Sequence, residues 1–136
     1  MYLSELNVGQ KKNFLELAKY AMNLDGVGKA EEMQIYLSFV HECGMQDYRV
    51  EKQDQIDSVI KVLSKAEPKI KRIVMVELFG ILLADKEVCA AEQTFIDKLS
   101  ADFEIDSYEC KRFQRWVEAM NDLVGEGYSF IFKEDK

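Results

Sequence analysis

The chain has 136 residues, 48% hydrophobic and 32% charged, with 18 Lys and Arg against 25 Asp and Glu for a formal net charge of −7. That is the size of one domain with enough apolar residues for a core, and not a disordered composition. The excess of negative charge argues against nucleic acid or an anionic membrane as the main partner, because both are polyanions.

Six segments carry helical periodicity. The first runs from about Val8 to Leu24, with Phe14, Leu17, Ala18 and Ala21 at i, i+3, i+4 and i+7. Asp25-Gly26 ends it. The second, about Ala30 to Cys43, places Met33, Tyr36, Leu37 and Val40 on one face and stops at Gly44. Met45 to Gln53 is a polar loop. The third helix, about Asp54 to Ala66, carries Ile56, Val59, Ile60 and Leu63, and Pro68 then stands in the first turn of the next.

The fourth helix, about Pro68 to Ala84, is apolar nearly all round. That marks the buried centre of a domain. Its one interior carboxylate, Glu77, needs a Lys, an Arg or the surface. Lys69, Lys71 and Arg72 read as a small solvated basic face at its start. The fifth helix, about Ala90 to Phe103, uses Phe95, Ile96, Leu99 and Phe103. The sixth, about Ser107 to Val124, uses Phe113, Trp116, Val117 and Met120 as core and ends at Gly125 and Gly127. Tyr128 to Phe132 is the one stretch with a trace of period two, an apolar tail suited to docking on the body or on a second copy. The expected fold is all-α: a single domain over residues 1–136, a compact bundle of about six to seven helices.

Much familiar chemistry is missing. Met1 to Asn13 has no secretory pattern, and Ile73 to Ala84 is too short to span a bilayer. Cys43, Cys89 and Cys110 form no CxxC pair, and free thiols suit a reducing cytosol, so a cytoplasmic location is expected. His41 is the single histidine, and Cys43 lies two residues away, where helical side chains do not face each other. There is no phosphate-cradling loop and no nucleophile elbow. No catalytic residue is assigned, and no enzyme is expected.

A repeat emerges when the chain is shifted by 60. Asp25 meets Asp85, Glu32 meets Glu92, Ala21 meets Ile81, Ile35 meets Phe95 and Phe39 meets Leu99. The copies span roughly 14–43 and 74–103, each an apolar helix, an acidic turn and a second helix opening with Glu. Two such hairpins, each covering the other's apolar face, make a compact bundle with a pseudo-two-fold relation.

The stretch from Leu82 to Glu92, with Ala84, Asp85, Val88 and Glu92, resembles the signature of TerB-like domains. These occur in tellurite-resistance TerB proteins and at the front of some membrane-anchored DnaJ-like co-chaperones. Leu24-Asp25-Gly26 through Glu32 resembles a first copy. Lys86 stands where the family has Gly, and Gly28 where it has a β-branched residue. The resemblance implies a cytoplasmic, non-enzymatic helical module associated with stress and metal-oxyanion responses, with acidic positions proposed to bind metal.

The residues themselves give that idea some chemistry. Asp25 and Asp85 are expected at helix C-termini, where a carboxylate opposes the macrodipole. With Glu32 and Glu92, and Glu31 and Glu87 in second rank, they would gather hard oxygen ligands for Ca²⁺, Mg²⁺ or Mn²⁺. Neither turn is a complete calcium loop, since Ala21, Ile81 and Leu83 stand where an EF-hand needs ligands. The structural alternative is ordinary: Asp-Gly turn chemistry, with Glu32 and Glu92 at N3 of their helices as capping residues. The expected role is a binding or scaffolding module, with a protein partner or a homo-oligomer and with neither nucleic acid nor membrane. The alternatives are a metal-independent interaction domain and a carboxylate-metal hydrolase.

Overall fold

The computed structural model describes residues 1–25, 30–84 and 87–133. Among them are six α-helices and no strand: α1 (Val8–Met22), α2 (Ala30–Cys43), α3 (Ile56–Ser64), α4 (Pro68–Leu82), α5 (Ala90–Asp102) and α6 (Ser107–Ile131). Single 3-10 turns precede α1 and α3. No helix of the described residues is long and apolar enough to cross a membrane.

Local chemistry explains the helix ends. Asn7 caps α1 by accepting from the Gln10 backbone at 2.8 Å, while the Gln10 side chain accepts from Asn7 N–H at 2.9 Å. Pro68 opens α4, where its missing N–H costs nothing. Asp106 caps α6 by accepting from Glu109 N–H at 2.8 Å.

The repeat is built into the backbone. α1 and α4 begin at 8 and 68 and end at 22 and 82, and α2 and α5 begin at 30 and 90. The stops also match. Gly44 has φ +66° and Glu104 φ +57°, and each helix closes with the same i+5 to i bond, Met45 N–H to Val40 C=O at 3.0 Å and Ile105 N–H to Ser100 C=O at 2.9 Å. Glycine adopts that left-handed backbone freely; Glu104 adopts it at a cost.

α1 and α4 pack together at the centre. α2 and α3 flank α1, and α5 and α6 flank α4. α4 is the buried helix that its composition predicts, contributing Ile70, Ile73, Val74, Met75, Leu78, Phe79, Ile81 and Leu82 to the core. From α1 come Phe14, Leu15, Leu17, Ala18, Ala21 and Met22, with the rings of Phe14 and Phe39 meeting edge-on at 5.1 Å.

Four expectations are corrected. α2 buries Glu32, Tyr36, Phe39 and Cys43, so Met33 and Leu37 face solvent: the buried face includes a carboxylate, and apolar spacing alone misplaces it. Trp116 is exposed, because α6 seats on the body through Cys110, Phe113, Val117 and Met120, a 3-4-3 spacing that leaves Trp116 to one side. α6 runs through Gly125 and Gly127 to Ile131, so the tail is helical and not extended. Lys71 is buried, while its neighbours Lys69 and Arg72 are exposed and ion-paired, to Glu5 at 3.0 Å and Glu109 at 2.7 Å.

Candidate functional site: a groove between α2, α4 and α6

The two halves do not close in the same way. On one side of the molecule Tyr20 of α1 lies against Phe95 of α5, with ring centroids 5.3 Å apart, and α3 packs on α5. The positions 60 residues away, Gly80 of α4 and Ile35 of α2, replace two rings with a hydrogen and a smaller aliphatic chain. There α2 and α6 flank a cavity of about 200 Å³. Its walls are Ile35 and Phe39 from α2, Val76 and Gly80 from α4, and Trp116, Val117 and Met120 from α6. A Cβ built on Gly80 would stand 3.7 Å from the Phe39 ring, ordinary van der Waals contact, so the floor has room for a methyl group and carries none.

Two carboxylates close one end of the groove. Glu77 is buried and Glu42 half-buried, and the Met1 ammonium sits between them, 3.2 Å from Glu77 Oε2 and 2.6 Å from Glu42 Oε1. Leu3 N–H donates to Glu42 Oε2 at 2.9 Å. The expected Lys or Arg partner of Glu77 is therefore an α-ammonium. Burial pushes the Glu77 carboxyl above the usual range, and the ammonium charge offsets only part of that. Burial also pulls the ammonium down, but its hydrogen bond to Glu42 and the Glu77 charge outweigh that, and its pKa is raised.

The groove also carries Ser38 of α2, whose hydroxyl donates to Ile35 C=O at 2.6 Å. Its carboxylates are occupied by a cation, and the chain's one histidine, His41, is exposed beside Gln46. The cysteines are thiols. Cys43 and Cys110 are buried, and burial pushes Cys43 up to about 11. What the groove does offer is an apolar slot with an acidic end and an aromatic lip, where Tyr2 approaches Trp116 with ring centroids 6.4 Å apart.

The acidic turns lie elsewhere. α1 ends at Met22 with Asn23 as its cap, so Asp25 stands two residues past the cap. Asp85 lies outside the described residues. Glu32 and Glu92 are both buried, at equivalent places in the two halves. Glu92 sits at N3 of α5 and accepts from Cys89 N–H at 2.9 Å, the capping role open to it from the sequence. Glu31 and Glu87 are exposed. Among the described residues no three His, Cys, Asp or Glu side chains gather as a metal site.

Sequence reasoning passed over one carboxylate, Glu16. It is fully buried on α1 and accepts from Tyr48 O–H, from the backbone N–H groups of Glu51 (2.9 Å) and Lys52 (3.0 Å), and from Gln53 Nε2 (2.8 Å). It pins the 45–53 loop to the body. Burial alone would raise its pKa; these donors outweigh burial and lower it. The available signal was its place inside the Phe14–Ala18 run, where every other residue is apolar.

No protein-family model, curated protein or solved structure matches the chain.

Proposed function

We propose that the protein is a non-enzymatic docking module that receives an apolar segment of another polypeptide in the groove between α2, α4 and α6. The observation that carries this is the open joint at Gly80 and Ile35, where the other half has the Tyr20–Phe95 ring pair. An apolar slot with a few fixed polar groups at one end is the usual form of a binding site. The TerB-like resemblance supports the same class of role.

Trp116, the single tryptophan, lines the groove and reports on its occupancy. A titration with bis-ANS should saturate at one site and quench Trp116 emission. Gly80→Phe, checked for folding by circular dichroism, should abolish that site by filling it. Equal binding by wild type and Gly80→Phe would refute the proposal.

A second reading keeps a divalent cation at the acidic turns. Its support is the TerB-like resemblance, which implies acidic metal ligands at these positions, although Glu92 already caps α5. Thermal-shift titrations with Ca²⁺, Mg²⁺ and Mn²⁺ should then give saturable stabilisation that Asp25→Asn/Asp85→Asn loses. Equal responses from the two proteins would remove this reading.

A further inference from the structure

α6 has 25 residues, about 37 Å of helix at the usual rise, and only its first half is seated. The seam that seats it is Cys110, Phe113, Val117 and Met120, at spacings of 3, 4 and 3. The same rhythm continues without a break to Val124, Gly127 and Ile131, where the body no longer covers it. A stripe repeating every 3.5 residues is the pattern of a helix that pairs with another helix. One flank of the stripe is apolar too, with Trp116, Leu123 and Phe130 seven residues apart.

The exposed end is large. Leu123, Val124, Tyr128, Phe130, Ile131 and Phe132 are between 52% and 76% exposed. Aromatic side chains bring roughly 150–250 Å² each, so these six expose on the order of 700 Å². Monomer surfaces seldom carry contiguous apolar patches much beyond about 300–600 Å². Each partner in a standard protein interface contributes about 800 Å².

Charge selects the occupant. Along the exposed half, the positions bordering the stripe are Asn121 and Tyr128 on one side and Leu123 and Phe130 on the other, none of them charged. Glu118, Asp122 and Glu126 lie off the stripe, the first two beside Leu83 of the body. Two copies of this helix can therefore meet without placing like charges across the seam, in a chain whose net charge of −7 would otherwise oppose self-association. The net charge of −7 disfavours an anionic lipid surface.

Building on the groove proposed above, we infer that the occupant is a second copy of this chain. The C-terminal halves of two α6 helices pair antiparallel about a two-fold axis, and the Phe130–Phe132 tip of each reaches the Trp116 end of the other's groove. An isologous pair of this kind closes on itself and stops at the dimer.

Sedimentation equilibrium of the full chain from about 1 to 200 µM tests this, with Trp116 emission recorded over the same range. The mass should rise from 15.8 kDa toward twice that value, with a blue shift of Trp116. Val124→Glu/Ile131→Glu, at exposed positions, should stay at the monomer mass with an unchanged circular dichroism spectrum. A wild type that remains monomeric throughout overturns the inference, and so does a double variant that still dimerises. Monomers that co-sediment with phosphatidylcholine vesicles, or that bind only a heterologous helix, overturn it as well. A monomer that keeps the bis-ANS site of the previous section refutes self-pairing while leaving the groove reading intact.

Discussion

Glu16→Ala should be among the most damaging single substitutions in this chain. It removes the acceptor from four donors at once: Tyr48 O–H, two backbone N–H groups and the Gln53 amide. Hydrogen bonds to a charged group contribute about 1.5–3 kcal/mol each. The sum overstates the loss, because Glu51 and Lys52 are exposed and their N–H groups can regain water. A net cost of about 3 kcal/mol follows, which for a chain of this length lowers Tm by roughly 10 °C. Glu16→Gln should cost less, since one carbonyl oxygen is kept while the new amide N–H₂ faces donors. Tyr48→Phe, losing one bond, should cost about 1–2 kcal/mol.

The assay is thermal or urea unfolding paired with hydrogen exchange, in which the Glu51 and Lys52 amides should lose protection in Glu16→Ala before the helices do. The pH dependence has a definite sign. The folded pKa of Glu16 is lowered, so its contribution is present above the ordinary carboxylate pKa and is lost as pH falls through the folded value. Glu16→Gln should flatten the acid limb of stability. A loss under about 1 kcal/mol in Glu16→Ala, or unchanged exchange at Glu51 and Lys52, would refute the assignment of this carboxylate as the anchor of the loop.

Gly80→Ala should stabilise the protein by about 0.5–1 kcal/mol, since the helix interior gains propensity and the added Cβ meets only van der Waals contact; a drop in Tm would mean that the groove floor is tighter than its geometry states. Glu104→Gly should gain up to about 1 kcal/mol by relieving a left-handed backbone, read as a higher urea midpoint at unchanged m-value. The raised pKa of the Met1 ammonium means that its pairing stabilises below the unfolded value of 8.0 and is lost as pH rises through the folded one, so Tm should fall as pH rises above 8.0. Glu77→Gln should shrink that fall.

Periodicity, caps and turn residues carried most of the architecture. Pro68 at N1, Gly44 past α2 and the apolar circumference of α4 each follow from steric and solvation rules that act within a few residues, and the 60-residue repeat shows when the sequence is compared with itself. What escaped depends on partners distant in sequence. Glu16 is satisfied by a loop more than 30 residues away, so its own helix records only an anomaly. On α2, Glu32 occupies the buried face, and the apolar pattern therefore pointed to Met33 and Leu37 instead. Gly125 and Gly127 read as stops, yet each costs only about 1 kcal/mol inside a helix and neither forces it to end. Trp116 is large and apolar enough to look like core, but its neighbour Val117 takes the seam. The groove itself was within reach: comparing Tyr20 with Gly80 and Phe95 with Ile35 in the repeat register locates the open joint from residues alone.

That joint gives the molecule a built-in control. Its two helix pairs, α1–α2 and α4–α5, start in the same register, one joint filled by a ring pair and one left open, under identical solvent, temperature and ionic strength. Exchange, water penetration or side-chain mobility measured at Gly80 and Ile35 can be divided by the same quantity at Tyr20 and Phe95 in a single sample. Transplanting Gly and Ile into the sealed side would then ask whether an opening alone makes a receptor, or whether the carboxylates at its end are needed as well.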